Sequence, residues 1–397
     1  MLELDAVQTL AFGGVALLLG SAIRRHLPVL GRYNIPTPVI GGLLIATAIA
    51  IARSHDVTLV KFDTTFQSPL MIAFFTSVGF SASPALLRSG GPQMVMLLVL
   101  VSVLAIVQNL VGGAIAMAFG LHPLFGVLSG SVTLTGGPAT GLAFAPLFEQ
   151  SGVHGAATIA VAVGMAGIVA GSVLGGPVAT ILIERYGLRA NAHTTPVSLA
   201  EPQPRLDTTA ESSTHITLKN LIVILIAMWI GSWISRGVTA LDITLPAYVG
   251  AMIVGAAIRG LDDFTGWIGL SQHTLDTIGS ICLSFFLALA LMTLKLWELA
   301  GLALPLTVSL LVQIVVVILV SALCFRLMGR DYDAAVMSGG FIGFMLGTTA
   351  NAVAVMRAVV ERYGVAPRAF LVAPVVGAFF LDFTNALIIT TFVNVWR

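Results

Sequence analysis

Two clusters of glycine, serine and threonine interrupt apolar stretches of this chain, one at 129–141 and one at 338–351. Glycine permits tight turns and the close approach of a ligand to the backbone. Backbone N–H groups at the start of a half-helix attract carboxylates, whereas freed carbonyls and the hydroxyls of serine or threonine suit sodium. The clusters therefore predict a site for a small anion together with a cation.

Small residues also allow helices to pack closely, and this alternative stays open for each glycine. The site interpretation gains support if the two clusters occupy matching places in an internal repeat.

Asp382 is the only carboxylate that lies well inside an apolar run, at 368–395. An ionised aspartate at the centre of a bilayer costs about 2.5–3.5 kcal/mol on insertion scales, so a partner or a cation is expected there. We expect Asp382 to bind sodium or to couple substrate, with Asn385 and Thr133 as further oxygen ligands. The alternative is a packing carboxylate that is hydrogen-bonded to threonine or asparagine.

Three amides also lie inside apolar runs, at Gln108, Asn109 and Gln313. We expect them to form hydrogen bonds between helices.

The sequence offers no support for enzyme chemistry. All seven histidines fall in loops or at the ends of apolar segments, which argues against a buried proton relay or a structural metal cluster. HExxH, GxSxG and P-loop motifs do not occur. We therefore predict a protein that is not an enzyme, has no organic cofactor and is not driven by ATP.

Composition places the chain in a membrane. Of its 397 residues 57% are apolar and 9% are charged, and the mean hydropathy is +1.00. Such values exclude an ordinary soluble domain. The net charge of +1, with no basic patch, predicts no nucleic-acid partner.

Apolar runs divide the chain into six segments in each half. Those of the first half are 7–23, 36–52, 68–87, 94–119, 123–148 and 155–183, and those of the second half are 218–235, 243–258, 277–294, 299–325, 334–356 and 368–395. The polar stretch between them predicts a linker. We divide the chain into an N-terminal membrane repeat at 1–188, a cytoplasmic linker at 189–217 and a C-terminal membrane repeat at 218–397.

The two halves are related in sequence at a nearly constant offset. The matched pairs are Gly20 with Gly231, Pro36 with Pro246, Phe74 with Phe285, and Glu149 with Glu361. Their offsets are 211, 210, 211 and 212 positions. This regularity indicates a duplication, and the two glycine clusters occupy corresponding places in it.

Charge then decides how the two halves are oriented. If every segment crossed the bilayer, the halves would lie parallel; if 123–148 and 334–356 are re-entrant hairpins, five spans remain in each half and the repeats are inverted. With the N-terminus outside, the inverted arrangement puts 14 of the 19 Lys and Arg residues on the cytoplasmic side. We therefore predict an all-α polytopic membrane protein, an inverted repeat of two halves with about five transmembrane helices and one re-entrant hairpin each, in the bacterial inner membrane with both termini periplasmic.

The sequence resembles the bacterial sodium/glutamate symporters over nearly its whole length apart from the linker. The similar stretches are 33–44, 69–75, 129–141, 283–304 and 375–382. This resemblance implies a homodimer that imports glutamate with sodium as the coupling ion. It also implies a scaffold that holds a mobile, elevator-like transport unit, with substrate between the hairpin tips.

Matching positions supply the candidate substrate-binding residues that the resemblance implies, and the second cluster adds an asparagine to them. They are Thr135, Gly136, Gly137, Thr140, Gly141, Gly347, Thr348, Thr349 and Asn351. Asp382 is carried over as well, in agreement with the role expected from its burial in an apolar run.

Other functions stay open at this point. The substrate could be another amino acid or a di- or tricarboxylate, coupled to sodium or to protons. A passive channel, or a membrane sensor that binds its ligand without moving it, belongs to a different class and would not accumulate substrate against a gradient.

Overall fold

The computed structural model describes residues 2–55, 60–83, 91–189, 210–241, 243–299 and 301–396. Within these residues the regular structure is helical except for one two-residue parallel strand pair, β1 (Leu2–Glu3) with β2 (Val60–Lys61), in which Leu2 lies opposite Val60.

The helices of the first half are α1 (Ala6–His26), α2 (Pro28–Arg32), α3 (Thr37–Ser54), α4 (Gln67–Ser81), α5 (Gly91–Ala118), α6 (Pro123–Val127), α7 (Gly137–Gln150) and α8 (Ala156–Tyr186), with a π-helical turn (Leu128–Val132) after α6. Those of the second half are α9 (Ala210–Thr239), α10 (Ala247–Thr265), α11 (Gln272–Met292), α12 (Ala303–Leu327), α13 (Tyr332–Met345), α14 (Thr349–Tyr363), α15 (Pro367–Val375) and α16 (Asp382–Trp396), with a 3₁₀ turn (Leu296–Leu299) before α12 and a π-helical turn (Val376–Leu381) before α16.

Local signals explain where several helices begin and end. The side chain of Asp5 accepts a hydrogen bond from the backbone of Gln8, and the Gln8 side chain accepts one from the backbone of Asp5, so a capping box starts α1. Basic residues in the last turn of α1 complement the partial negative charge of its C-terminus. Gly187 ends α8 in the left-handed conformation that glycine adopts most readily.

Seven helices in the described part of the chain are long and apolar enough to cross a membrane, namely α1, α3, α5, α8, residues Thr214–Thr239 of α9, α11 and α12. The prediction of an all-helical, multi-pass membrane protein is therefore confirmed. The other three predicted spans are also helical, as α4, α10 and the broken helix α15–α16.

The predicted linker at 189–217 falls mostly on residues outside the described ranges. The first residues of α9 lie within it, because that helix begins at Ala210.

The helices form two packing groups. In the first, α1, α3, α4, α9, α10 and α11 pack on one another, and in the second, α5 to α8 pack with α12 to α16. The helix α8 contacts α7, α13 and α14, and α5 contacts α6, α12 and both π-helical turns. Contacts within each group outnumber those between the groups.

Close approach of backbones holds the first group together. A Cβ atom added at Gly79 in α4 would lie 2.1 Å from the carbonyl oxygen of Met252 in α10. One added at Gly41 in α3 would lie 1.9 Å from the carbonyl oxygen of Ala16 in α1. These glycines therefore act in helix packing, which is the alternative interpretation given above for small residues.

We predict that Gly79→Ala destabilises the protein, because the new methyl group would meet backbone that cannot rotate away. Overpacking of this kind costs about 1–3 kcal/mol. Gly176→Ala in α8 is the matched control, since nothing lies within 4 Å of its Cβ position and alanine is the better helix former. Thermal unfolding in detergent should show a lower melting temperature for Gly79→Ala alone. Equal melting temperatures for the two variants would contradict the packing seen here.

Candidate functional site

The first glycine cluster contains a break between two helices. The π-helical turn after α6 includes Gly130, whose φ of −100° and ψ of −125° are not helical. The helical conformation resumes at Thr133 and Leu134 and is interrupted again at Thr135 and Gly136, before α7 begins at Gly137, which has a φ of +71°. This positive φ favours glycine, so the residue type at the start of α7 follows from the backbone geometry.

The second cluster contains a similar break. The helix α13 ends at Met345, and α14 begins after Thr348, whose extended backbone makes it the N-cap. The hydroxyl of Thr348 accepts a hydrogen bond from the backbone N–H of Asn351 at 3.4 Å. Both clusters thus contain a short irregular tip followed by the N-terminus of a new helix.

The two tips meet. A Cβ atom added at Gly137 would lie 3.4 Å from Cγ2 of Thr348 and 3.5 Å from the carbonyl oxygen of Gly347. The N-termini of α7 and α14 therefore begin within a few ångströms of each other. Each carries backbone N–H groups without intrahelical acceptors and the partial positive charge of its helix dipole, which together favour an anion.

A third broken helix passes both tips. A Cβ atom added at Gly377, in the π-helical turn before α16, would lie 2.9 Å from Oγ1 of Thr349 at the second tip. Further along, Nδ2 of Asn385 donates a hydrogen bond to the carbonyl oxygen of Ser131 at the first break, at 3.0 Å. Asp382 lies between these two contacts in the chain, five residues after Gly377 and three before Asn385.

Asp382 is half-buried, and none of the described residues donates a hydrogen bond to its carboxylate or forms an ion pair with it. Asn385, one turn further along, is fully buried, and its Oδ1 atom also has no hydrogen-bond partner among the described residues. Because Nδ2 of Asn385 is bonded to Ser131, the amide cannot be flipped without losing that bond. Two oxygens without protein donors are therefore available one turn apart on the same helix.

The other candidate residues in the first cluster have different contacts. The Thr133 hydroxyl donates to the carbonyl oxygen of Leu128 at 2.8 Å, which leaves its oxygen lone pairs available. Gly136 lies against Thr140, since a Cβ atom there would be 2.6 Å from Cβ of Thr140.

Gly141 and Asn351 both take part in helix packing. A Cβ atom at Gly141 would lie 2.7 Å from Cβ of Ala160 in α8, so this glycine fits the packing alternative. The Asn351 amide donates to the carbonyl oxygen of Ile168 at 2.8 Å and accepts from Ser172 at 2.5 Å, both in α8. It also accepts from Nδ2 of Asn34 at 3.2 Å, and its side chain is therefore fully engaged by protein.

Gln108 and Asn109, which the sequence predicts only as helix-packing residues, also contribute to the site. Gln108 in α5 accepts a hydrogen bond from the hydroxyl of Thr135 at 2.6 Å. Asn109 accepts one from the backbone N–H of Ser131 at 3.0 Å. The expectation of interhelical bonding is correct, because Gln313 in α12 donates to the Gln108 carbonyl at 2.7 Å. The only signal for the additional contacts was the occurrence of two adjacent amides in a long apolar helix.

Comparison of the sequence with known proteins identifies its family. Residues 2–365 match the family model described as "Sodium/glutamate symporter". The sodium/glutamate symporter of Haemophilus influenzae is 38% identical over 389 residues, which cover 96% of this chain and 95% of the relative. That of Escherichia coli is also 38% identical, over 98% of this chain and 97% of the relative.

The chain belongs to the sodium/glutamate symporter family. These relatives are named as symporters, and the protein is therefore a membrane transport protein and not an enzyme. The resemblance drawn from the sequence stretches is thus confirmed. The match to the symporter family model includes both tips and ends before Asp382 and Asn385.

Proposed function

We propose that this protein is a sodium-coupled symporter that imports glutamate across the bacterial inner membrane. Membership of the sodium/glutamate symporter family supports the coupling ion and the substrate. One observation carries the mechanism: the restarting N-termini of α7 and α14 meet, and a carboxylate without a protein donor among the described residues lies on the helix that passes both.

The adjacent N-termini of α7 and α14 supply hydrogen-bond donors and partial positive charge for the carboxylates of an acidic amino acid. We assign substrate carboxylate binding to the backbone N–H of Gly137 in the first tip and to the backbone N–H groups and hydroxyls of 347–349 in the second. Thr135 and Gly136 shape the first tip, because their N–H groups donate to the carbonyl oxygen of Ser131 and the Thr135 hydroxyl donates to Gln108. Two helix N-termini that point at one place add their partial positive charges, and this attraction strengthens where water is excluded. The glycines at the tips let the ligand approach the backbone closely.

Sodium fits the oxygens of α16. We assign the coupling ion to the carboxylate of Asp382 and to Oδ1 of Asn385, with Thr133 as a further candidate oxygen. Hard cations of this kind prefer carboxylate, amide and hydroxyl oxygens. A sodium ion would neutralise Asp382, whose charge is costly inside a membrane without a counter-ion.

The proposed topology is an inverted repeat, with α6–α7 and α13–α14 as re-entrant hairpins and both termini periplasmic. The membrane repeats are 1–188 and 218–397, and a cytoplasmic linker joins them. Charge asymmetry and matching glycine clusters support this arrangement. Irregular backbone at membrane depth is tolerated where protein surrounds it, as it does at both tips.

The two packing groups suggest how substrate moves. We propose that the group containing α5 to α8 and α12 to α16 is the mobile transport unit, and that α1, α3, α4 and α9 to α11 form the scaffold. The looser contact between the groups supports an elevator-type displacement of one against the other. A homodimer joined through its scaffolds in the lipid bilayer completes the proposal.

We predict that the purified protein in proteoliposomes accumulates labelled glutamate when a sodium gradient is directed inward. Accumulation should collapse when potassium replaces sodium on both sides, because binding of the cation drives the cycle. Competition with aspartate, glutamine, malate and citrate tests specificity. Uptake that is equal with and without sodium would contradict the coupling, and stronger competition by malate or citrate would contradict glutamate as substrate.

We predict that Asp382→Asn lowers the apparent sodium affinity by about tenfold or more, which corresponds to about 1.4 kcal/mol for each factor of ten. Loss of the negative charge removes most of the attraction for the cation. Asp276→Asn in α11 is the control, since Gln272 and Ser81 already donate to that carboxylate and an amide oxygen can accept the same bonds. The sodium dependence of uptake measures both. An unchanged sodium dependence in Asp382→Asn would move the ion site elsewhere.

We predict that the residues flanking each hairpin are reached from one side of the membrane only. In a variant without Cys282 and Cys324, single cysteines at the exposed positions His122 and His154 should react with an impermeant thiol reagent in intact cells. Cysteines at the exposed positions Arg326 and Glu361 should react only after the membrane is permeabilised.

The labelling has a simple contrary outcome. If the two flanks of 123–148, or those of 334–356, react from opposite sides, that segment crosses the bilayer fully. The tips could not then meet at a membrane-embedded site.

A further inference from the structure

A single buried amide bridges the two tips. The Thr135 hydroxyl in the first tip donates to Oε1 of Gln108 at 2.6 Å, and Nε2 of Gln108 donates to the carbonyl oxygen of Met345 at 3.1 Å. Gln108 is fully buried in α5, which belongs to neither broken helix pair. Its carboxamide therefore connects two segments that are about two hundred residues apart in sequence.

Gln108 contacts polar groups that lack a hydrogen-bond partner within their own helix, because each lies where a helix is interrupted. Met345 is the last residue of α13, and the carbonyl groups of a final helical turn have no intrahelical donor. Thr135 lies in the irregular stretch between the π-helical turn and α7. A buried carbonyl or hydroxyl without a partner is costly, so each contact stabilises the tip that makes it.

The backbone that carries Gln108 is itself held in place. Gln313 donates to the Gln108 carbonyl oxygen at 2.7 Å, and a Cβ atom added at Gly130 would lie 2.9 Å from the same oxygen. The adjacent Asn109 holds the N–H of Ser131 at 3.0 Å. Contacts with Gln313 and Gly130, and the neighbouring bond of Asn109, therefore hold the backbone of α5 in place at Gln108.

We propose that Gln108 is a positioning residue that sets the spacing of the two tips and, through it, the affinity for the transported amino acid. This inference rests on the proposed function, and it extends that function to a residue outside both hairpins. Gln108 acts through Thr135 and the Met345 carbonyl and does not itself touch the substrate.

The chemistry of the bridge makes it testable. Thr135 needs an acceptor and the Met345 carbonyl needs a donor, so only one orientation of the amide serves both. An ionised glutamate has the same shape but no donor. It keeps the bond from Thr135 and places a charged oxygen against the Met345 carbonyl. A protonated glutamate carries an O–H group and can restore the second bond.

The experiment compares Gln108→Glu with Asn220→Asp, a control that makes the same amide-to-carboxylate change at a fully buried site in α9, outside the packing group that contains both tips. The KM for glutamate is measured from pH 8 to pH 5, with the wild type at each pH because Asp382 on the neighbouring α16 is itself ionisable. We expect Gln108→Glu to raise KM about tenfold at pH 8, where more of the buried carboxylate is ionised than at neutral pH, as one unsatisfied buried carbonyl warrants. Its ratio to the wild-type KM should fall toward one as the pH is lowered, whereas Asn220→Asp should stay within about twofold throughout.

Two additional measurements keep the test decisive if Gln108→Glu does not fold. Gln108→Asn is uncharged but one methylene too short to reach both tips, so it should raise KM without recovering at low pH. The melting temperatures of Gln108→Leu, Thr135→Val and the double variant give a readout that is independent of transport. Losses smaller than additive in the double variant support the bridge.

The outcomes separate this inference from the proposed function. A wild-type KM in Gln108→Asn, a Gln108→Glu defect that is the same at every pH, or additive melting losses would each overturn the bridge. Absence of sodium-driven glutamate accumulation by the wild type would overturn the proposed function, and the melting cycle would still decide whether Gln108 joins the two tips.

Discussion

The structure depends on one constraint, that backbone polar groups freed by a broken helix inside a membrane must find partners within the protein. At the first break Ser131 shows how this is met. Its N–H donates to Asn109 in α5, and its carbonyl oxygen accepts from Asn385 in α16. Each of these two helices therefore carries an asparagine at this level, because the irregular backbone beside it requires a donor and an acceptor.

This arrangement explains why polar side chains collect where the three broken elements meet. Each amide that serves the backbone has a second polar atom, and the fold must either use it or leave it available. Gln108 uses both of its atoms, one for each tip. Asn385 uses only its Nδ2 atom, and its Oδ1, one helical turn after Asp382, has no donor among the residues that the structure describes. A membrane-buried acceptor without a donor is costly unless water or a cation fills the place.

Much of this organisation could be read from the sequence. Glycine and threonine clusters located both breaks, since the irregular stretches at 135–136 and 346–348 lie inside the clusters at 129–141 and 338–351. Composition and apolar runs predicted a polytopic helical fold. Residue type identified these features because helix breaking and membrane insertion are local properties of the chain.

What lies opposite a side chain is not a local property, and here sequence reasoning fell short. Gly141 has the residue type of a ligand-approach position but faces Ala160 in a packed interface. Asn351 has suitable oxygen chemistry, yet α8 occupies its amide with Ile168 and Ser172. Apolar periodicity can mark a buried face, but it does not state which distant segment covers that face.

The proposed assignment of ions and substrate has a thermodynamic consequence that follows from geometry. The helix carrying Asp382 touches the second tip through Gly377 and holds the first break through Asn385. A cation at Asp382 would therefore favour the tip arrangement in which these contacts are made. If substrate binds that same arrangement, each ligand must raise the affinity for the other by the same factor, because binding free energies are linked reciprocally. Coupling of this kind needs no direct contact between ion and substrate, only a shared preference for one spacing of the tips.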